Sequence, residues 1–416
     1  MSISWERRVV VTGIGAVTPI GMGVTGLRRG LRAGRSAVRT IASFDTSALN
    51  SHVAAPVCEA IPDDWVCGGT SDPLDRYSLF AVAAARMAVA DGGIDLERED
   101  REQIGISIGT ALGGVAFAEQ QYPRYAAHGA AGVSPHLALS VFNGAGPCRV
   151  AEDLKLYGPV TANGDSCAAS PIAIGRAVDL IRGGTADVML AGGSEAPLAP
   201  LTFSAFSIIR AMSERNADPC TASRPFDAGR DGYVMAEGSA MLLLEEYGHA
   251  RDRGARIYGE ILGHACTNDA FHMTQPRLDR VQTVRCMQNC LRDGGMRTEQ
   301  VGYINAHGSS TTLNDSSETA AIKEVFGDRA YAMPVSGTKG FHGHALGATG
   351  AWEAAICLLA LQDDWLPPTL NLITPDPACD LDYIREPGGR SARVDCILSN
   401  SFGFGGINAC LLFGRV

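Results

Sequence analysis

Short apolar runs alternate along the chain with longer segments whose apolar positions recur at helical spacing. In the first half these runs predict strands at residues 8–14, 104–109 and 188–192, with a helix over 76–91 among them. In the second half they predict strands at 257–265, 302–306, 396–400 and 409–413, and a turn at 336–347 that leads into a helix ending at Leu361. Each half therefore shows the alternation expected of a mixed sheet covered by helices.

The repeated order of strands and helices predicts an α/β fold built by duplication. A charged stretch at 246–256 lies between the halves and gives two units, residues 1–255 and 256–416. A chain of 416 residues can form two or three ordinary domains or one large duplicated body. Because sequence identity between the halves is weak, the duplication rests on the order of elements alone.

The segment around Cys167 predicts a sharp turn between a strand and a helix. Residues 159–163 have the pattern of the end of a buried strand, and 168–182 carry apolar positions close to helical spacing. Pro171 fits the first helical turn, where its missing N–H is not needed. A cysteine at this helix N-terminus is biased toward the thiolate, the reactive form of the side chain. The pattern therefore favours Cys167 as a nucleophile.

Two histidines far downstream lie in similar turns of glycine and small residues, His307 in 305–311 and His344 in 343–347. A thiolate can carry an acyl group as a thioester, and two imidazoles can stabilise an enolate or oxyanion and move protons. These three side chains are the equipment for forming a carbon–carbon bond from thioesters. One cysteine among 12, or one histidine alone, is more often structural than catalytic; the three motifs together favour catalysis.

Composition and charge indicate where this chemistry takes place in the cell and which kinds of ligand the protein does not bind. The apolar fraction of 46%, the charged fraction of 19% and the 49 glycines are typical of a compact enzyme. No secretory h-region and no apolar run of about 18 residues is visible, so we expect a cytoplasmic protein with reduced cysteines and no membrane segment. The formal net charge of −10 argues against binding to nucleic acid. Cys286 and Cys290 lie one helical turn apart but lack a second ligand pair, so no metal site is predicted.

Longer blocks of sequence give the strongest indication. The chain resembles the β-ketoacyl-acyl-carrier-protein synthases, and within them the type II elongating branch that includes the ketosynthases of type II polyketide synthases. The resemblance begins at residues 9–15 and extends over essentially the whole length in five ordered blocks: 164–170 around Cys167; Arg-Pro-Phe-Asp at 224–227 with 230–232 and 237–238; 305–315; 336–339 leading to His344; and 400–406. It implies a thiolase fold, in which two similar halves give five α-β-α-β-α layers, and usually a dimer.

The resemblance also implies catalytic roles. Cys167 takes the growing acyl chain from an acyl carrier protein. His307 and His344 polarise the thioester carbonyl of a malonyl unit, so that loss of CO2 leaves an enolate that attacks the acylated cysteine. Lys339 pairs with Glu318 and holds the histidine site.

Phe404 resembles a gate in a glycine-rich loop that moves to admit the malonyl substrate, and its backbone N–H joins that of Cys167 in the oxyanion hole. Five further side chains are implied to contact the substrate: Ser309 and Thr311 on the phosphopantetheine arm, His272 and Thr274 at the tunnel entrance, and Leu112 on the acyl pocket.

Two departures from the family pattern bear on the pathway. Asp165-Ser166 precede the nucleophile and Ala168-Ala169 follow it, where relatives usually carry a small residue or Thr before and a Thr or Ser-Gly pair after. An inward Asp165 would raise the pKa of the thiol, and we expect it to point away. The segment 67–76 is poor in the Lys and Arg that many relatives use to receive an acidic carrier protein, which leaves Arg210 as the docking candidate. Both departures favour a specialised pathway with a dedicated carrier or partner subunit.

The sequence therefore predicts a ketosynthase, an acyltransferase that extends a carrier-bound chain by two carbons to a 3-oxoacyl thioester. Fatty-acid and type II polyketide synthesis both remain open, as do a homodimer and a heterodimer with a ketosynthase-like paralogue. No bound cofactor is expected, because phosphopantetheine arrives on the carrier protein. Two alternatives differ in class. A CoA-dependent thiolase would carry a second reactive cysteine before a C-terminal glycine run, where this chain has only Cys410; a non-extending chain-length factor would typically lack the nucleophile.

Overall fold

The computed structural model describes residues 7–66 and 75–416. Its strands are, in chain order, β1 (Val9–Thr18), β2 (Gly21–Met22), β3 (Arg39–Thr40), β4 (Val53–Ala55), β5 (Ile104–Gly109), β6 (Val160–Asn163), β7 (Val188–Glu195), β8 (Met235–Ala236), β9 (Gly238–Glu246), β10 (Gly259–Asn268), β11 (Tyr303–Asn305), β12 (Val335–Ser336), β13 (Trp365–Leu366), β14 (Arg390–Ser391), β15 (Cys396–Gly403) and β16 (Ile407–Gly414).

The helices are α1 (Gly23–Arg32), α2 (Arg76–Gly92), α3 (Val115–His128), α4 (Leu137–Ser140), α5 (Ala145–Leu154), α6 (Ala169–Arg182), α7 (Pro200–Ile208), α8 (Tyr247–Asp252), α9 (Val281–Asp293), α10 (Thr312–Phe326), α11 (Lys339–His342) and α12 (Thr349–Asp363). No helix in the described ranges is both long enough and apolar enough to cross a lipid bilayer.

The main sheet repeats one topology twice. The strand order is β6-β5-β7-β9-β1 in the first half and β12-β11-β15-β16-β10 in the second. In each half the first three strands are parallel, and the fourth and fifth each run antiparallel to the strand before. A short pairing of β1 with β10 joins the two halves. The topology is therefore duplicated, as the order of elements predicts, while the exact division at residue 255 stays a prediction.

Helices α6 and α12 form a layer between the two halves of the sheet. Helix α6 packs on β5 and β7 of the first half and on β10 of the second, and α12 packs on β15 and β16 as well as on β7 and β9. On the outside, α2 covers the first half and α9 the second. Helix α12 is buried on all sides from Thr349 to Leu361, which explains why its sequence is apolar without a polar stripe.

The first turns of α6 and α12 lie in direct contact because small residues line both. The Oγ of Ser170 accepts a hydrogen bond from the backbone N–H of Ala351 at 2.9 Å. A Cβ on Gly350 would lie 2.4 Å from a ring carbon of Pro171, so only glycine fits there without a shift. The central layer therefore depends on close approach of two backbones.

The duplication extends to the turns that precede these two helices. Each helix follows a short 3₁₀ turn, Ser166–Ala168 before α6 and Leu346–Ala348 before α12. The first residue of each turn has a left-handed backbone, with φ of 53° at Ser166 and 42° at Leu346. The turn that carries Cys167 and the turn that follows His344 are thus equivalent positions of one repeated motif.

Some elements differ from the sequence predictions. The strand predicted at 159–163 is not buried, because β6 is the outer strand of the first half and its residues alternate between exposed and half-buried. Helices α3 and α10 have no predicted counterpart; α3 contains Pro123 and α10 lacks an apolar stripe, so neither shows helical periodicity. Of the segment 67–76, residues 67–74 lie outside the described residues, and Arg76 pairs with Glu237 at 2.6 Å.

The packing of β5 on the start of α6 gives a first prediction. A Cβ on Gly109 would lie 2.2 Å from backbone atoms of Ala169, so Gly109→Ala must displace the helix that follows Cys167. We expect a loss of about 1–3 kcal/mol of stability, measured as a lower midpoint of thermal unfolding. Gly388→Ala is the matched control, since a Cβ there meets nothing within 4 Å. Equal midpoints for the two variants would contradict the close packing.

Candidate active site

Cys167 lies in the 3₁₀ turn between β6 and α6 and is buried. Its Sγ is 3.1 Å from Nε2 of His344 and 3.8 Å from the hydroxyl of Ser166. The left-handed backbone of Ser166 turns the chain sharply between strand and helix. The sharp turn that the sequence predicts is therefore present, and an imidazole stands within reach of the thiol.

His344 reaches the thiol from the second half of the molecule. Its Nδ1 is 2.9 Å from Oγ1 of Thr349, the first residue of α12. That hydroxyl fixes the ring so that Nε2 is directed at the sulfur. The ring of Tyr233 packs against the imidazole edge to face, with 5.4 Å between centroids.

His307 faces the same space from the loop after β11. Its ring lies 5.4 Å from that of His344, centroid to centroid, at an angle of 80°. The carboxylate of Glu318 holds the loop by accepting the backbone N–H of His307 at 2.8 Å and of Gly308 at 2.9 Å. Asn400 on β15 donates to the same carboxylate at 3.1 Å. The structure therefore brings the three predicted catalytic side chains together.

Lys339 pairs with Glu353 on α12 and not with Glu318, which corrects the pairing implied by sequence resemblance. Its Nζ is 2.6 Å from Oε1 of Glu353 and also donates to the backbone oxygen of His307. Glu318 is already occupied by donors from the loop it holds and from Asn400. Lys339 therefore links α12 to the His307 loop.

Burial shifts the thiol and both imidazoles toward their neutral forms. It raises the pKa of the Cys167 thiol, against the lowering effects of the Ser166 hydroxyl and the Lys339 ammonium. It lowers the pKa of both His307 and His344 well below the usual range, and the charge of Lys339 lowers them further. At pH 7 the imidazoles are neutral. The thiolate bias predicted from the helix N-terminus is outweighed by burial.

A cavity of about 330 Å³ is bounded by Cys167, both histidines and Phe404. Ser309 and Thr311 lie in its wall with their hydroxyl oxygens 2.8 Å apart. Thr274 and Arg210 are exposed and line its outer part. Within the described residues Arg210 makes no ion pair. Both hydroxyls and the arginine therefore border the cavity, while their contacts with a phosphopantetheine arm and a carrier protein stay predictions.

Two predicted contact residues lie outside the cavity wall. His272 is exposed, and its Nδ1 accepts the backbone N–H of Thr274 at 3.1 Å, so it shapes the turn that presents Thr274. Leu112 packs instead against the apolar cluster that contains Cys167. That Leu112 lines an acyl pocket stays a prediction.

Phe404 stands in a glycine-rich loop beside the thiol, and its backbone N–H is directed at the sulfur of Cys167. Gly405 has a φ of 81°, a conformation that favours glycine. Two hydrogen bonds hold the loop at Gly405. Its backbone N–H donates to the backbone oxygen of Met273 at 2.7 Å, and its backbone oxygen accepts from the side-chain amide of Asn268 at 3.0 Å. The N–H of Phe404 therefore lies at the reacting sulfur, while its oxyanion-hole role and its gating role stay predictions.

The sequence reasoning missed three side chains that hold the site. Thr349 and Glu353 are four residues apart and so share one face of α12, a spacing that could have revealed them. Glu195 ends β7 and accepts backbone N–H groups from Ala111 at 2.6 Å and Gly347 at 3.1 Å. Burial raises the pKa of both Glu195 and Glu353 to about 7. Through its hydrogen bonds to Ala111 and Gly347, Glu195 links the loop after β5 to the turn after His344.

The other cysteines and acids noted in the sequence lie apart from the thiol chemistry. Cys286 and Cys290 donate to the backbone oxygens of Ala265 and Gly263 at 3.5 and 3.6 Å. Burial, with a smaller contribution from the charge of Asp165, raises the pKa of the Cys266 thiol to about 11. Over the described ranges, no three His, Cys, Asp or Glu side chains are grouped so as to hold a metal ion.

The chain also matches known protein families. The N-terminal domain of β-ketoacyl synthases matches residues 6–250, and their C-terminal domain matches residues 258–373. The chain belongs to the β-ketoacyl synthase family. The match covers the three reactive side chains, because Cys167 lies in the first domain and both histidines in the second, whereas Phe404 lies beyond the matched residues.

This β-ketoacyl synthase is 41% identical over 411 residues to the 3-oxoacyl-[acyl-carrier-protein] synthase 2 of Coxiella burnetii, with 99% of each chain covered. It is also 41% identical to the tetracenomycin polyketide synthase ketoacyl synthase alpha subunit of Streptomyces glaucescens, covering 99% of this chain and 97% of that protein. A solved structure of a type II PKS acyl-carrier protein in complex with its ketosynthase bound to the hexaketide matches with a TM-score of 0.91 and 35% identity, covering 99% and 100% of the two chains. The predicted thiolase fold is confirmed.

The contact between Ser166 and the thiol of this β-ketoacyl synthase gives a second prediction. Loss of the hydroxyl in Ser166→Ala removes a group that lowers the pKa of Cys167, so that pKa should rise further. The thiolate then forms only at higher pH, and the pH profile of Cys167 alkylation by iodoacetamide should move upward. Ser391→Ala, at an exposed serine on β14, should leave the profile in place. A profile unchanged in Ser166→Ala would contradict the assigned contact.

Proposed function

We propose that the protein catalyses a decarboxylative Claisen condensation between an acyl chain and a malonyl unit, each delivered on an acyl carrier protein, to give a 3-oxoacyl thioester. The observation that carries the proposal is the 3.1 Å contact between Sγ of Cys167 and Nε2 of His344, with His307 facing the same cavity. A buried thiol, two neutral imidazoles and a backbone donor supply what both half-reactions need.

The first half-reaction moves the acyl group to Cys167. The sulfur attacks the thioester carbonyl, the new S–C bond forms, and the bond to the pantetheine sulfur breaks. His344 takes the thiol proton at Nε2, 3.1 Å from the sulfur, as the S–C bond forms, and returns it to the departing pantetheine thiolate. The backbone N–H groups of Cys167 and Phe404 stabilise the oxyanion of the intermediate.

The second half-reaction makes the carbon–carbon bond. His307 and His344 donate hydrogen bonds to the thioester carbonyl of the malonyl unit, the bond to its carboxylate breaks, and the electron pair forms an enolate as CO2 leaves. The enolate carbon attacks the acyl carbonyl on Cys167, the bond from that carbonyl to the sulfur breaks, and the thiolate takes a proton that comes from solvent, because the condensation consumes one proton for each CO2 released. Lys339 supports this step as a positioning residue, because it holds the backbone of the His307 loop.

The partners of the enzyme follow from this chemistry. The substrate carrier is an acyl carrier protein whose phosphopantetheine arm lies along Ser309 and Thr311, and no other cofactor is needed. One relative is named a 3-oxoacyl-[acyl-carrier-protein] synthase and another, at the same identity, a polyketide synthase subunit, so fatty-acid and polyketide synthesis both stay within the proposal. The proposed enzyme is cytoplasmic and forms a dimer, either with a second copy of its own chain or with a ketosynthase-like paralogue.

Two alternatives are less well supported. A thiolase needs a second reactive cysteine at the site, but Cys410 is buried and donates to Asn400 at 3.3 Å. A non-extending chain-length factor would have no use for a thiol held against an imidazole, and Cys167 is so held.

Separating the two half-reactions tests the proposal. Cys167→Ala should take no acyl group from an acyl-pantetheine thioester, because the attacking sulfur is absent. His307→Ala should still take the acyl group but release CO2 from malonyl carrier protein about 100-fold more slowly, because one donor to the enolate oxygen is lost. Intact-mass analysis and release of labelled CO2 measure the two steps.

His128→Ala, at an exposed histidine, serves as the matched control and should match the wild type in both assays. Acyl labelling of Cys167→Ala, or wild-type CO2 release by His307→Ala, would refute the assigned roles.

Docking of the carrier gives a further prediction. Carrier proteins of this class are acidic, and a chain with net charge −10 repels them unless local positive charge lies at the cavity mouth, where Arg210 is exposed. Arg210→Glu should raise KM for acyl-carrier substrate, most strongly at low salt, and spare a small pantetheine thioester. Arg39→Glu, at an exposed arginine on β3, is the control. Equal losses with carrier and small thioester would place docking elsewhere.

A further inference from the structure

Tyr233 carries a hydroxyl that the protein itself does not use. The residue is 3% exposed, and its hydroxyl oxygen is buried without a hydrogen-bond partner among the described residues. Burial raises the pKa of the phenol well above its ordinary value, so the group remains a donor at any physiological pH. A buried donor left unpaired destabilises the protein, so its presence calls for an acceptor that comes from outside.

The position of this hydroxyl limits which molecule can supply the acceptor. The ring borders the cavity and packs on His344, and the phenol is close enough to Cys167 to interact with the thiol electrostatically. The hydroxyl oxygen is enclosed, and the ring belongs to the apolar cluster of Cys167, Phe203 and Met235. A group bound to the sulfur of Cys167 is therefore the ligand best placed to meet it.

The ring contact alone does not account for a tyrosine. Phenylalanine would pack against His344 in the same edge-to-face arrangement without burying an unpaired hydroxyl. The hydroxyl must therefore be explained by something other than packing. Recognition of an oxygen on the bound acyl group provides that explanation, because a site built to bond a polar substituent discriminates against chains that lack it.

We propose that the hydroxyl of Tyr233 donates a hydrogen bond to an oxygen at C3 of the acyl group carried by Cys167, so that the enzyme favours 3-oxoacyl chains over saturated ones. This inference rests on the proposed function. The oxygen at C1 is taken by the backbone N–H groups of Cys167 and Phe404, and in a chain built from two-carbon units the next oxygen lies at C3. Tyr233 is then a specificity-determining residue for the substrate that this enzyme elongates.

The test compares two pantetheine thioesters of equal length, octanoyl and 3-oxooctanoyl, in single-turnover acylation of Cys167 followed by intact-mass analysis. For each protein the ratio of the two rates is taken, and comparing this ratio between proteins cancels the difference in intrinsic reactivity of the thioesters. In Tyr233→Phe the ratio of 3-oxooctanoyl to octanoyl rates should fall about tenfold relative to the wild type, the effect of one lost neutral hydrogen bond.

Tyr258→Phe is the matched control, since its buried hydroxyl bonds to Asp91 at 2.9 Å and is not part of the site. It should keep the wild-type ratio and unfold at a lower temperature, whereas Tyr233→Phe loses no internal partner and should not unfold earlier. Normal acylation with an unchanged ratio in Tyr233→Phe, or an equal loss on both thioesters, overturns the role of Tyr233 alone. Failure of the wild type to take either acyl group overturns the proposed function itself.

Discussion

The contact between the first turns of α6 and α12 determines where the reactive groups stand. Glycine and serine at this contact let two backbones from different halves approach closely, with Ser170 bonded to the N–H of Ala351. Because each helix starts from the same kind of 3₁₀ turn, one turn presents the thiol and the other follows the imidazole that meets it. The 3.1 Å contact of Cys167 and His344 is thus a product of the duplicated fold. A larger side chain at the contact would separate the halves and the two reactive atoms together.

Burial gives this site a chemistry that an exposed cysteine and two histidines would lack. Neutral imidazoles donate hydrogen bonds to a carbonyl oxygen but form no ion pair with a malonyl carboxylate. They therefore stabilise the enolate that forms without stabilising the carboxylate that must leave, and only such differential binding accelerates a reaction. Lys339 opposes this effect as a buried cation, and its ion pair with Glu353 offsets part of its charge within the protein.

The sequence was sufficient for the alternation of strands and helices in the two halves and for the reactive trio, because each of the three lies in a turn of small residues between recognisable elements. The contacts that support the trio could not be predicted from the sequence in the same way. The partner of Lys339 depends on how α11 packs beside α12, which the sequence does not encode; the family resemblance therefore pointed to Glu318, where the structure has Glu353. The exposure of β6 depends on its place at the edge of the sheet, which a local apolar pattern does not encode. Tyr233 is indistinguishable from an ordinary core aromatic until its hydroxyl is seen to lack a partner.

The central position of α6 has a consequence for how the chain is made. This helix is apolar on the side that faces α12, yet α12 is synthesised more than 160 residues later, after most of the second half has left the ribosome. Until α12 is made, the inner face of the sheet and of α6 in the first half of the nascent chain therefore remains exposed. This state is prone to aggregation and to binding by chaperones. Final folding is then set by long-range closure, which is slow for a topology of this kind, and only at that closure do thiol and imidazole first meet. The enzyme acquires its reactivity late, when little of its apolar surface remains open to other chains.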